Sequence, residues 1–102
     1  MSPMLVELDG ILDRIEQLAG RLRADPESHV HFGARELRAA FDDRTAIEPA
    51  FARLRDSLRL LRRSDQNGLV HELRPTAGAL DELEAAIDNE LLPRLRRVGF
   101  EV

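Results

Sequence analysis

The side chains in this 102-residue chain best suited to chemistry are its three histidines, His29, His31 and His71. An imidazole can ligate a metal ion or attack an electrophile such as a phosphoryl group. Because the chain has no cysteine, disulfides, thiolate metal sites and a cysteine nucleophile are excluded. It also has no glycine-rich phosphate loop and no nucleophile elbow. Candidate chemistry therefore starts from the histidines and their neighbours.

His29 and His31, with Glu27 and Glu36 nearby, form the first candidate cluster. Imidazole and carboxylate groups suit several divalent metal ions. A closed site normally needs three or four ligands, and only His71 or a second chain could complete this one. The sequence also lacks the HExxH motif and a paired ExxH motif. We therefore predict no metal site and no cofactor, and we interpret His29 and His31 as exposed loop residues.

His71 stands in the segment Leu69-Val-His-Glu-Leu-Arg-Pro-Thr-Ala-Gly-Ala-Leu80. The run His-Glu-Leu-Arg resembles the phosphoacceptor box of sensor histidine kinases. The segment is also similar to the His-x-Leu-Lys/Arg-Gly-Ser/Ala box of histidine phosphotransfer domains, which are four-helix bundles. The resemblance implies that His71 is a phosphoryl-accepting nucleophile and that Arg74 helps to hold the phosphate. A phosphorelay component is accordingly the alternative function.

The longest helical pattern lies in the last third of the chain. Apolar residues recur there at steps of three and four, which places them on one stripe of an α-helix. Prolines interrupt the pattern at Pro75 and Pro93, because proline lacks a backbone N–H and crowds the carbonyl four residues back. We predict a long C-terminal helix that is broken or kinked near both prolines. The helix proper should begin near Pro75 and leave His71 in a preceding turn.

Three shorter amphipathic patterns precede this helix. The first starts at Pro3 and ends by Asp25. The second fits residues 30–41, with a cap at Ser28 or a start at Gly33, and the third begins at Pro49 and runs to about Arg63. The prediction is an all-α fold, a small bundle of about four helices in a single domain over residues 1–102. The predicted core consists of Leu8, Ile15, Leu18, Leu54, Leu58, Leu61, Leu80, Leu83 and Ile87.

Charge is unevenly distributed along the chain. The formal net charge of −4 argues against a protein that binds nucleic acid with its whole surface. Residues 44–63 are nevertheless rich in arginine, whereas residues 64–92 are rich in acids. These opposite charges predict that the third and fourth helices pack as antiparallel neighbours. The arginine face of the third helix could also contact phosphates or an acidic protein surface.

The end of the chain carries apolar residues that a small monomer has few ways to bury, and an exposed apolar patch usually marks an interface. We therefore predict a homodimer and a non-enzymatic helical protein–protein interaction module, such as an adaptor, chaperone, inhibitor or accessory protein. The chain has no leader-like segment and no apolar run of about 18 residues, so a cytoplasmic protein is expected. The predicted partner-binding residues are Leu91, Leu95, Val98, Phe100, Arg55, Arg59, Arg62 and Arg63.

Overall fold

A computed structural model describes residues 3–22, 29–66 and 78–102, apart from the side chains of residues 64–66. All the regular structure in these ranges is helical, and they contain no β-strand, which confirms the predicted all-α class. The elements are α1 (Pro3–Leu22), α2 (His29–Ala39), a 3₁₀ helix (Ala40–Asp42), α3 (Arg44–Gln66), α4 (Ala79–Ala85), a π-helical segment (Ala86–Leu91) and α5 (Leu92–Arg97). None of the described helices is long and apolar enough to cross a membrane.

Ion pairs between helices define how the bundle is arranged. The last helical run consists of α4, the π-helical segment and α5. It is antiparallel to α1, because its start contacts the end of α1 and its end contacts the start of α1. Three ion pairs follow this order, namely Arg21–Glu82, Arg14–Glu90 and Arg94–Glu7. The run is also antiparallel to α3, since Arg62 contacts Asp81 and Arg55 contacts Asp88. The predicted antiparallel pairing of the third and fourth helices is thus confirmed.

Apolar side chains from all the helices meet in one core. Eight of the nine predicted core residues are buried, and the ninth, Leu61, is half-buried and packs against the others. Helices α2 and α3 approach each other closely at Gly33, where an added Cβ would lie 3.1 Å from the Cα of Leu54. Burying each large apolar side chain contributes roughly 1.5 to 3 kcal/mol, so this core supplies most of the driving force for folding.

The third helix begins at Arg44 and not at Pro49, so the predicted start was wrong. Asp43 caps the helix, because its Oδ1 accepts hydrogen bonds from the backbone N–H of Thr45 at 3.0 Å and from its hydroxyl at 2.7 Å. The residues before Pro49 also bring Ile47, which is fully buried, into the core. This burial and the cap together offset the backbone hydrogen bond that proline cannot donate.

The C-terminal helical run departs from α geometry just before Pro93. Leu92 donates its N–H to the carbonyl of Ile87, five residues back, at the end of the π-helical segment. Pro93 has no N–H to donate, and regular α geometry resumes from Leu92. The predicted interruption of the helix near Pro93 therefore takes the form of this π-helical segment. The predicted break and helix start near Pro75 lie outside the described residues.

Candidate functional site

The histidines are distributed between described and undescribed parts of the chain. His29 and His31 lie in the first turn of α2, so the loop assignment was wrong; His29 is exposed and His31 is half-buried. Within residues 3–22, 29–66 and 78–102, no group of three or more His, Cys, Asp and Glu side chains could hold a metal ion. His71 and Arg74, the residues of the phosphorelay alternative, lie outside the described residues.

The predicted arginine face is divided into two parts by its neighbours on α4 and on the π-helical segment. Arg55 pairs with Asp88 at 2.5 Å, and Arg62 pairs with both Asp81 and Glu84. Arg55 therefore joins α3 to the π-helical segment and Arg62 joins α3 to α4, and their side chains are only 28% and 34% exposed. Their charge is neutralised within the bundle.

The other two members of this face remain available to solvent. The side chain of Arg59 is 71% exposed, and its ion pair with Asp56, on its own helix, is 3.4 Å long. Arg63 is exposed and forms no ion pair with any residue that the structure describes. All four arginines, with Leu58 and Glu84, line a cleft of about 220 Å³. The structure thus brings the predicted basic residues together but leaves only Arg59 and Arg63 for an external partner.

The predicted apolar tail folds back onto its own bundle. Leu91 and Leu95 are fully buried and Phe100 is 8% exposed, whereas Val98 is half-buried. Gly99 has a left-handed φ of 92° and ends the helix in a Schellman turn. In this turn the N–H of Phe100 donates to the carbonyl of Leu95 at 3.1 Å. The backbone therefore returns Phe100 to the core of the same chain.

Two side chains from the start of α3 hold this turn in place. Arg44 donates to the carbonyl of Gly99 at 2.8 Å and to that of Val98 at 3.3 Å. Glu48 accepts a hydrogen bond from the backbone N–H of Glu101 at 3.1 Å. The expectation of an exposed apolar tail was therefore wrong for Leu91, Leu95 and Phe100. Self-association stays a prediction, but it needs a different surface.

An exposed apolar groove lies between α2 and α3, and sequence reasoning missed it. Its largest apolar side chains are Phe32, 54% exposed, and Leu60, 48% exposed. The groove has a volume of about 260 Å³, and Gly33 lies between the two helices at its base. Charged and polar side chains surround it, namely His29, Glu36, Arg53, Asp56 and Ser57. The sequence could have indicated this groove, because Phe32 and Leu60 lie outside the buried stripes of their helices.

Arg38 forms the most connected polar cluster in the described part of the chain. Its guanidinium binds carboxylates from three successive turns of α1, those of Asp9, Asp13 at 2.6 Å and Glu16 at 3.0 Å. Burial alone lowers the pKa of Arg38, but the attraction and hydrogen bonds of Glu16 and Asp9 outweigh it and raise that pKa. Since these acids are already bound by Arg38, we interpret the cluster as a structural contact that holds α2 against α1.

Comparison with known proteins adds no family to this description. No protein-family model matches the sequence, and no curated protein or solved structure is significantly similar to it. Function must therefore be inferred from the surfaces described above.

Proposed function

We propose that this protein is a non-enzymatic helical interaction module that forms a homodimer through the α2–α3 groove. The observation that carries the proposal is the pairing of Phe32 and Leu60 on one surface, each about half exposed. Among the described residues, Val6 is the one other exposed large apolar side chain. Clustered exposed apolar side chains mark interaction sites, whereas scattered ones do not.

A second copy of the chain suits this groove because its rim carries both signs of charge. Arg53 and Glu36 form an ion pair at 3.1 Å across the rim, and Asp56 and His29 lie beside the apolar centre. A two-fold interface brings the same patch of both copies together, so the patch must be complementary to itself. A mixed rim around an apolar centre meets that requirement, whereas a rim of one sign would repel its own copy.

The dimensions of the bundle also suit a dimer. The molecule measures 40 by 21 by 21 Å, so one long flank approaches the roughly 800 Å² per partner that specific interfaces bury. The groove occupies the part of the α2–α3 flank where residues 29–36 face residues 53–60. The centre of the interface would then contain aromatic and aliphatic side chains, and the rim would contain charged ones.

Light scattering on the purified chain tests the proposal. We expect a mass of about twice the 11.5 kDa chain at high micromolar concentration, and a shift to monomer for Phe32→Glu/Leu60→Glu. Val6→Glu is the matched control, because Val6 is also exposed but lies on α1, outside the groove. A monodisperse parent monomer, or a dimer that withstands the groove variant, would contradict the proposed interface.

The phosphorelay alternative has its own direct test. Incubation with acetyl phosphate, or with a phosphorylated receiver domain, should leave the chain unmodified if the protein is non-enzymatic. An acid-labile phosphoryl group that disappears in the His71→Ala variant would overturn the non-enzymatic assignment. This outcome is independent of the oligomeric state, so the two parts of the proposal are tested separately.

A further inference from the structure

The outer edge of α3 carries two positive charges, of which the described residues balance one only weakly and the other not at all. Arg59 and Arg63 are four residues apart, so they are neighbours on one face of the helix and repel each other. The described carboxylates of α4 and the π-helical segment that face α3 are already paired, Asp88 with Arg55 and both Asp81 and Glu84 with Arg62. Among the described residues, Arg59 pairs only with Asp56, at 3.4 Å, and solvent screens this pair because both side chains are about 70% exposed.

These two arginines border a recess that could receive a side chain. The cleft between α3 and α4 has a volume of about 220 Å³, and the nearly buried Leu58 contributes an apolar surface to it. On α3 the cleft residues 55 and 62 lie about half a turn from the groove residues 53, 57 and 60, whereas Arg59 and Arg63 lie nearer to the groove, whose lining includes Asp56. A partner bound at this edge would therefore lie beside the proposed dimer interface.

We propose that the Arg59–Arg63 edge binds an acidic amphipathic helix of a partner protein. Two carboxylates spaced by one helical turn would pair with the two guanidinium groups, and an apolar side chain between them would enter the cleft. A protein segment fits better than a nucleic acid for two reasons. The positive edge is only two residues wide and is flanked by the acids Asp56 and Glu84, and the chain has no Tyr or Trp on which bases could stack.

Fluorescence anisotropy with two labelled helical peptides of about 18 residues tests this proposal. Both peptides carry leucine at helical spacing; glutamate fills the other positions of the first peptide and lysine those of the second. We expect saturable binding of the glutamate peptide only, with loss of binding in about 1 M salt, where charges are screened within about 3 Å. Arg59→Glu/Arg63→Glu should weaken binding at least about tenfold, because two attractive contacts become repulsive.

Arg35→Glu is the matched control, since Arg35 is exposed on α2 and forms no ion pair with any described residue. It should leave the peptide affinity within about twofold of the parent value. If the double charge reversal lowers helicity, Arg59→Gln/Arg63→Gln replaces it, and weaker binding is again expected. Equal loss in Arg35→Glu, no loss in the double variant, or no binding by the parent would overturn the proposal. So would preferential binding of an oligothymidine that depends on Arg59 and Arg63.

Discussion

The guanidinium of Arg44 lies over the ring of Phe100, 4.6 Å from the ring centroid. The same group donates to the carbonyls of Val98 and Gly99, so one side chain closes the C-terminal turn onto the start of α3. The contact covers part of Phe100, which also packs in the core, and it depends on the start of α3 at Arg44, before Pro49. It also identifies a surface residue whose removal should affect stability.

We expect Arg44→Ala to lower the free energy of unfolding by about 1 to 2 kcal/mol, because the cation–π contact and two charge-assisted hydrogen bonds are lost. Urea denaturation monitored by circular dichroism measures the change. Arg35→Ala is the control, because Arg35 is exposed and makes no ion pair within the described residues, and it should change stability by less than about 0.5 kcal/mol. Equal effects of the two variants would argue against the closing role of Arg44.

Two glycines should respond in opposite ways to replacement by alanine. Gly99 has a φ of 92°, and an added Cβ would lie 2.8 Å from Nη2 of Arg44, so Gly99→Ala should destabilise the fold by about 1 kcal/mol or more. Gly10 lies inside α1 with no atom near its added Cβ, so Gly10→Ala should stabilise by roughly 0.5 to 1 kcal/mol. Thermal unfolding midpoints that moved in the same direction would contradict these assignments.

The helical phase of the core can be tested at Leu58 and Leu83, which are 4% and 0% exposed. Truncating either to alanine should cost about 2 to 5 kcal/mol, because buried contacts are lost and a cavity is left behind. Val6→Ala provides the comparison, since Val6 is 58% exposed and should lose little. If both leucine variants kept the parent unfolding midpoint, the assigned phase of α3 and α4 would be wrong.

The Arg38 cluster should stabilise the bundle without making it sensitive to pH near neutrality. Arg38→Met leaves Asp9, Asp13 and Glu16 close together without their shared cation, and we expect a loss of about 1 to 2 kcal/mol. Because the pKa of Arg38 is raised in the folded state, its contribution is complete below the pKa of the unfolded chain. It is lost only as the pH rises through the higher folded value, in strongly alkaline solution.

The difference in stability between the parent and Arg38→Met should therefore be constant from about pH 6 to about pH 9. Urea denaturation across that range measures it. Arg59→Met is the control, because that side chain is 71% exposed and makes one long ion pair, so it should change stability by less than about 0.5 kcal/mol. A difference that decreased steadily from pH 6 to 9 would indicate that another group controls the cluster.

The sequence by itself determined the fold class and the buried faces of the helices. Both depend on the spacing of apolar residues within single helices, and eight of the nine predicted core residues were accordingly correct. The complementary charges of the third and fourth helices also predicted their pairing, because long arginine side chains reach acids on a neighbour without exact positioning. The functional alternative at His71 stays a prediction, as that residue lies outside the described ranges.

Only the tertiary structure decided which of these residues remain available to a partner. The burial of Ile47 and the Asp43 cap outweighed the local preference of Pro49, and this earlier start placed Arg44 beside Phe100. The described acids of α4 and the π-helical segment neutralised Arg55 and Arg62 but not Arg63, although all three arginines belong to one arginine-rich sequence. The physical reason is that exposure and charge balance depend on atoms from distant parts of the chain, whereas helical periodicity depends only on neighbours in sequence.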